Sequence, residues 1–281
     1  MIEYRKEFLK CLASIDPSKR RYDIFKDFLE ITTLSFLGVF DKQEENENRY
    51  KQIIKTYKNP DKLPELLHIT VEALTQKTHD FLGEIYMFGE FGNKGNGQFF
   101  TPYHISEFMA EVTLYENDLK TKIEQNGFIT VNDPCCGSGV MFLAASEAII
   151  KMGYNPQEVM RIHGTDIDII CCYMAFIQTN LLGLSAQIDY GNTITMQIWK
   201  NFVTPMAYIN RWRFGDQKPK QDENLINQKR IEIKKDIAEI RNSANTEQAE
   251  ERTENDKSRN EQPQQLSLIF EWICGYRTVL F

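Results

Sequence analysis

The feature that most constrains this chain is a tight turn of small residues set between a strand-like run and a helix-like run. Residues 128–132 are mostly apolar and β-branched, as expected of a buried strand. The turn at residues 133–139 reads Asp-Pro-Cys-Cys-Gly-Ser-Gly, and residues 140–150 have the composition of a helix. A strand, a glycine turn and a helix in this order predict the first unit of a doubly wound α/β domain.

This turn does not have the chemistry of a phosphate-binding loop. It lacks the Gly-Lys-Ser/Thr ending of a P-loop and the Gly-x-Gly-x-x-Gly spacing of a dinucleotide site. Asp133, at the end of the strand, would repel a pyrophosphate but could pair with a cationic group. The glycines would let the backbone approach a ligand closely, and the helix N-terminus supplies N–H groups. An ordinary strand-to-helix turn is the alternative interpretation.

Two motifs together resemble a known family. The turn resembles the first motif of S-adenosylmethionine-dependent DNA methyltransferases, Asp-Pro-Ala/Cys-Cys/Gly-Gly-Ser-Gly. About 30 residues upstream, residues 97–102 read Gly-Gln-Phe-Phe-Thr-Pro, which is more specific in combination than either motif alone. This segment is similar to one in adenine-specific (N-6) DNA methyltransferases related to the modification subunits of type I restriction-modification systems. The resemblance extends from about Asp80 to Thr193.

The resemblance implies an α/β fold of the class I S-adenosylmethionine-dependent methyltransferase (Rossmann-like) type. We expect an incomplete sheet, because at most four strands can be found, and an α-helical N-terminal region before it. The family binds S-adenosylmethionine, with the Asp of the first motif facing the methionine amino group. It transfers the methyl group to the exocyclic amine of adenine in DNA.

Two further strands complete the predicted cofactor pocket. A second strand, from about Val159 to His163, leads to Asp166, where doubly wound folds hold ribose hydroxyls, while Asp168 fits a helix cap. A third strand leads to Asn192, which could meet the adenine amino group of the cofactor or simply serve a turn. The predicted cofactor-binding residues are Phe100, Thr101, Pro102, Asp133, Pro134, Cys135, Gly137, Ser138, Gly139, Asp166 and Asn192.

A recognisable catalytic motif is missing. The family carries Asn/Asp-Pro-Pro-Tyr/Phe at the end of its fourth strand, where carbonyl groups accept the hydrogens of the amine and the aromatic ring stacks on the flipped base. No such tetrapeptide occurs in this chain, and the candidates in that place are Thr204, Pro205 and Tyr208. We therefore predict an adenine-specific DNA methyltransferase-like chain that is inactive alone or split. A second subunit would supply target recognition or the missing catalytic half.

Composition bounds the setting of the protein. The formal net charge of −7 gives no overall basic field, so contact with DNA would need a local patch or a partner. The six cysteines form no C-x-x-C pair, which indicates neither a zinc site nor a disulfide framework. We expect no metal, a cytoplasmic location and no membrane segment, since no signal peptide or sufficiently long apolar run is found.

The chain divides into four predicted segments. A polar break is expected at residues 41–49 within the first of them. They are a helical N-terminal region (1–97), an S-adenosylmethionine-binding methyltransferase-like domain (98–214), a charged helix with a disordered linker (215–264) and an apolar C-terminal docking peptide (265–281).

The docking peptide resembles the bacterial sliding-clamp binding motif Gln-Leu-x-Leu-x-Phe. Its predicted partner-binding residues are Gln265, Leu266, Leu268 and Phe270. A strand or helix that folds back onto the body is the alternative. If the peptide does dock, a second function becomes available: a non-enzymatic scaffold protein tethered to the replication sliding clamp.

Overall fold

The computed structural model describes residues 2–38, 43–91 and 100–212. The predicted linker and docking peptide, including Gln265, Leu266, Leu268 and Phe270, lie outside the described residues. Within the described ranges, no helix combines the length and apolar character that crossing a membrane requires.

Apolar residues at helical spacing build the N-terminal region, as predicted. Its core is aromatic: the ring of Phe8 contacts Phe25, Phe28 and Phe81 edge to face, at centroid distances of 5.6–6.1 Å. A short 3-10 helix, Pro60–Lys62, precedes α4. The helices are α1 (Ile2–Ile15), α2 (Arg21–Leu37), α3 (Glu44–Ile54), α4 (Leu63–Gln76) and α5 (Phe81–Phe88).

The predicted polar break at residues 41–49 is wrong, because α3 occupies most of it. Ile53 is the one buried residue of α3, so the segment shows almost no apolar periodicity. The guanidinium of Arg49 donates to both carboxylate oxygens of Glu30 on α2, at 2.6 and 2.9 Å. This bidentate pair joins α3 to the body and substitutes for an apolar stripe.

The second part of the described chain alternates helices and strands. Its helices are α6 (Tyr103–Thr113), α7 (Glu116–Asn126), α8 (Val140–Lys151), α9 (Pro156–Val159), α10 (Ile169–Leu181) and α11 (Pro205–Ile209). Its strands are β1 (Ile129–Asp133), β2 (Met160–Asp166), β3 (Ser185–Asn192) and β4 (Gln197–Val203). They form one sheet in the order β1-β2-β3-β4.

The first three strands are parallel and are connected through helices, which is the predicted α/β, Rossmann-like class. The carboxyl ends of β1, β2 and β3 therefore meet at one edge of the sheet. The register pairs Asp133 with Gly164 and Asp166 with Tyr190. This edge brings the ends of the strands on which the cofactor prediction depends into one place.

The fourth strand runs in the opposite direction. β4 pairs antiparallel with β3, with Gln197 beside Asn192 and Val203 beside Gln187. The chain therefore runs back along the sheet through β4. The last residue of β4, Val203, lies near the amino ends of the parallel strands. A parallel fourth strand would have ended beside Asn192, at the edge where the carboxyl ends of β1, β2 and β3 meet.

Helices α8 and α10 pack on one face of the sheet. Phe142 of α8 fits over Gly164, where an added Cβ would be 2.9 Å from its ring, and Phe176 of α10 contacts Phe202 of β4 at 5.9 Å. Phe176 also contacts Phe36 of α2 at 6.5 Å. The N-terminal helices therefore form a further layer over α10.

Candidate functional site

The turn between β1 and α8, residues 134–139, is termed the glycine loop. Gly137 and Gly139 have φ angles of +54° and +89°, in the left-handed region that favours glycine. An added Cβ at Gly139 would be 3.1 Å from the Cα of Ala175, and one at Gly137 would be 3.4 Å from the ring of Phe100. The loop thus has bare backbone both where it meets α10 and where it faces Phe100.

Asp133 is the last residue of β1 and directly precedes this loop. Its half-buried carboxylate accepts a hydrogen bond from the backbone N–H of Cys135 at 3.0 Å, which sets the turn. An ionised carboxylate has about four acceptor positions, so this one bond leaves capacity for a ligand. A cationic donor is the group that a partly buried carboxylate binds most strongly.

Asp166 lies at the end of the neighbouring strand and supports the loop. Its Oδ2 accepts from the backbone N–H of Gly137 at 2.8 Å, and its Oδ1 accepts from that of Asp168 at 2.9 Å. Burial raises the pKa of the Asp166 carboxyl, and these two N–H donors oppose the rise. Asp168 caps α10 by accepting from Ile170 at 2.9 Å, which confirms the predicted cap.

Asn192 lies at the same edge, at the end of β3. Its side-chain oxygen accepts from the backbone N–H groups of Ile194 and Thr195, at 2.9 and 3.1 Å, so its acceptor is used by the turn. The hydroxyl of Thr193 donates to the carbonyl of Pro134 at 2.6 Å. The β3–β4 turn is therefore tied to the glycine loop, and the group that Asn192 can offer a ligand is its NH2 donor.

The upstream motif reaches the same place. Phe100 packs its ring against Tyr86 at 5.3 Å and borders the backbone of Gly137. Thr101 and Pro102 are exposed and lead into α6. Among the residues of this motif that the structure describes, Phe100 to Pro102, it is Phe100 whose ring lies beside the loop.

The catalytic candidates lie elsewhere. Thr204 follows β4 and is fully buried. It lies beside the amino ends of the parallel strands, at the edge opposite to the one where their carboxyl ends meet. Its hydroxyl donates to the carbonyl of Leu184 at 2.7 Å and accepts from the N–H of Ala186 at 2.9 Å. Pro205 and Tyr208 belong to α11 at that edge. This placement corrects the expectation that these residues end a strand beside the cofactor.

A buried network behind the loop was not predicted. Asp80, the N-cap of α5, accepts from the hydroxyl of Ser138 and from the side-chain N–H of Gln178. The one available signal was an Asp before an apolar helical run, which predicts a cap and no more. Ser138 was predicted as a ligand residue, but its side chain faces the protein interior.

The arrangement suits a ligand with a cationic end and a hydroxyl-bearing end. Asp133 and Asp166 lie at the ends of adjacent strands, and adjacent strands are separated by about 4.8 Å. Bare glycine backbone lies between them. Each carboxylate retains acceptor positions after its internal hydrogen bonds are counted. Hydrogen-bond donors, such as an ammonium group or hydroxyls, are the chemical groups that these acceptors can bind.

Comparisons with known proteins show which family this chain resembles. Residues 77–249, more than half of the chain, match the family model for N-6 DNA methylases. The chain is also similar to the type I restriction enzyme MpnII methylase subunit of Mycoplasma pneumoniae, with 25% identity over 195 residues. The match covers 63% of this chain and 34% of that subunit, so the chain spans about a third of the relative's length.

Two solved structures show weak similarity. One, from Listeria monocytogenes, is described as a class I S-adenosylmethionine-dependent methyltransferase; it is 15% identical, with 67% of this chain and 53% of that one covered and a TM-score of 0.34. The other is a DrdV–DNA complex, 18% identical, with 65% and 20% covered and a TM-score of 0.34. Scores this low support no detailed comparison.

Proposed function

Because the chain belongs to the N-6 DNA methylase family, we propose that it binds S-adenosylmethionine at the glycine loop and serves methyl transfer to the exocyclic amine of adenine in DNA. The observation that carries this proposal is the meeting of two carboxylates, Asp133 and Asp166, at one sheet edge beside glycine backbone. S-adenosylmethionine is the cofactor of the family, and it supplies a methyl group on a sulfonium centre.

Each residue of the site has a proposed task. Asp133 binds the cationic amino group of the methionine part, and Asp166 accepts hydrogen bonds from the ribose hydroxyls. Gly137 and Gly139 let Phe100 and α10 approach the backbone of the loop, since their Cβ positions are already in contact with these neighbours. Phe100 shields the loop from water with its ring.

The catalytic acceptor is proposed to come from a second polypeptide. The exocyclic amine of adenine is a poor nucleophile, so it needs carbonyl groups to accept its hydrogens. The 281 residues contain no Asn/Asp-Pro-Pro-Tyr/Phe sequence, and Thr204 lies at the far edge of the sheet. We therefore propose that these residues alone bind the cofactor without transferring its methyl group. The second subunit would also recognise the DNA target.

The exposed surface of α6 is one argument for an interface with a second polypeptide. Small residues, Ala110 of α6 with Ala144 and Ala148 of α8, join the two helices. The other side of α6 exposes apolar side chains, with Phe108 64% and Val112 49% exposed. An exposed apolar stripe of this kind is typical of an interaction surface.

The edge strand β1 is a second argument for an interface with a second polypeptide. In the described part of the chain, β1 pairs with β2 alone, and Thr130 and Asn132 of β1 are exposed. A cleft of about 510 Å³ brings residues 113–115, at the end of α6, together with residues 128–130. Proteins usually cover or blunt an edge strand. We propose that the second subunit adds its strands here.

Calorimetric titration with S-adenosylmethionine tests the proposed pocket. Asp133→Asn keeps an oxygen that can accept from Cys135 but removes the charge. Loss of a charge-assisted hydrogen bond of about 1.5–3 kcal/mol weakens binding on the order of 10- to 100-fold. Asp61→Asn, an exposed site in the N-terminal region, is the matched control and should bind normally. Equal affinities for all three proteins would contradict the proposal.

Transfer of labelled methyl groups to DNA tests the split. The purified chain should bind the cofactor yet give no incorporation above background. Robust incorporation by the chain alone would show that a second polypeptide is not needed.

A second candidate function depends on the docking peptide. The sequence Gln265-Leu266-Ser267-Leu268-Ile269-Phe270 favours a scaffold tethered to the bacterial sliding clamp. Binding to the purified clamp should be lost in a Leu268→Ala, Phe270→Ala double variant. Absence of binding by the parent chain would end this hypothesis.

A further inference from the structure

A carboxylate with no assigned task is buried behind the glycine loop. Asp80 is 4% exposed and accepts three hydrogen bonds. The donors are the hydroxyl of Ser138, the side-chain N–H of Gln178 at 2.9 Å and the backbone N–H of Gly83 at 3.1 Å. One of these donors belongs to the loop, one to α10 and one to α5.

Gln178 closes the arrangement. Its second side-chain N–H donates to the backbone carbonyl of Ser138 at 2.9 Å, and its oxygen accepts from the backbone N–H of Leu82 at 3.1 Å. Both the hydroxyl and the carbonyl of Ser138 are therefore held from behind. All hydrogen-bonding groups of the Gln178 side chain are used, so the amide orientation is fixed by its partners.

The position of Ser138 gives this network its importance. Ser138 lies between Gly137, whose N–H is bound by Asp166, and Gly139, which is the N-cap of α8. The same short backbone segment is thus fixed from the ligand side by Asp166 and from the interior by Asp80. Glycines on both sides of Ser138 would otherwise leave the segment free to adopt several conformations.

Burial makes this an energetically expensive support. Desolvation raises the pKa of the Asp80 carboxyl, and the three donors counteract that rise. Hydrogen bonds to a charged group are strong where the local dielectric is low, and leaving such a group unpaired carries a large penalty. Capping α5 requires only the hydrogen bond from Gly83, so the bonds from Ser138 and Gln178 go beyond that need.

We propose that Asp80 is a positioning residue for the glycine loop, acting through Ser138 and Gln178 to hold the loop in its ligand-binding conformation. This inference rests on the proposed function and extends it to residues of the N-terminal helical region. Asp80 is separated from Ser138 by 58 positions and Gln178 by 98. A change in α5 would therefore alter cofactor affinity without touching the cofactor.

Hydrogen exchange of the chain without ligand is the first test. Asp80→Asn replaces one of the two acceptor oxygens by an NH2 group, and Ser138→Ala removes one donor and is the milder change should Asp80→Asn fold poorly. Both should raise amide exchange in peptides covering residues 135–139 at least tenfold. Thr70→Val is the matched control: it deletes a buried hydroxyl that donates to Leu66 in α4 at 2.7 Å, away from the loop.

Cofactor titration is the second test. Asp80→Asn and Ser138→Ala should each bind S-adenosylmethionine at least tenfold more weakly than Thr70→Val. The variant that carries both changes should lose no more affinity than Asp80→Asn alone, because the two residues act as one unit. The inference would be overturned if the amide hydrogens of the loop exchanged no faster in Asp80→Asn and Ser138→Ala than in Thr70→Val. If the parent chain does not bind the cofactor, the proposed function fails, while the exchange comparison still decides the role of Asp80.

Discussion

Alanine substitutions at Gly139, Gly153 and Gly164 should separate two physical reasons why a position requires glycine. These reasons are the backbone conformation and close packing. Gly153 has a φ angle of +83° and open space around its Cβ position, so Gly153→Ala introduces strain alone. Gly164 has no such φ angle, but its Cβ would lie 2.9 Å from the ring of Phe142, so Gly164→Ala introduces overlap alone. Gly139 combines both conditions.

The expected losses in the free energy of unfolding follow from these contacts. Strain of a left-handed residue costs about 1–2 kcal/mol, and overpacking a core costs about 1–3 kcal/mol. Gly139→Ala should therefore lose about 2–5 kcal/mol, the sum of the two effects. The upper part of that range is expected, because its close neighbour is the backbone Cα of Ala175, which yields less than a side chain.

Urea titrations of the four proteins give these free energies, provided that the slopes of the transitions agree. The order of stability should be parent, then Gly153→Ala and Gly164→Ala, then Gly139→Ala. If Gly139→Ala loses no more than Gly153→Ala, the close packing of the start of α8 against α10 would be refuted.

Two further predictions concern residues outside the loop. Thr204→Val should cost about 1–3 kcal/mol of stability through the unpaired N–H of Ala186, with S-adenosylmethionine affinity unchanged; weaker cofactor binding would contradict the far-edge placement of Thr204. Burial lowers the pKa of His79, so the native state takes up fewer protons than the unfolded state, and stability falls as pH drops below about 6.5. In urea titrations His79→Leu should therefore lose less stability between about pH 7 and pH 5 than the parent, and equal losses would exclude this effect.

Sequence reasoning succeeded where short-range rules decide the outcome. The Asp133 strand end, the glycine turn and the Asp168 cap each depend on neighbours within a few positions. Parallel pairing then follows from the alternation of strands and helices, which places Asp166 beside the loop.

Sequence reasoning failed where distant contacts decide. The turn at residues 193–196 carries no glycine or Asn-Gly signal, although Met196 adopts a positive φ of 55°. The sequence therefore gives no signal for the chain reversal that makes β4 antiparallel to β3. The first half of α3 was missed because an ion pair from Arg49 to Glu30 replaces an apolar stripe. The network of Asp80 joins segments that only the tertiary fold brings together.

The central claim is that Asp133, beside the glycine loop, binds the methyl donor. A crystal structure of the chain with S-adenosylmethionine tests it directly. The amino group of the ligand should lie about 2.7–2.9 Å from the Asp133 carboxylate, the range for charge-assisted hydrogen bonds, with the ribose hydroxyls at Asp166. A ligand bound elsewhere, or an Asp133 side chain turned away from it, would contradict the claim.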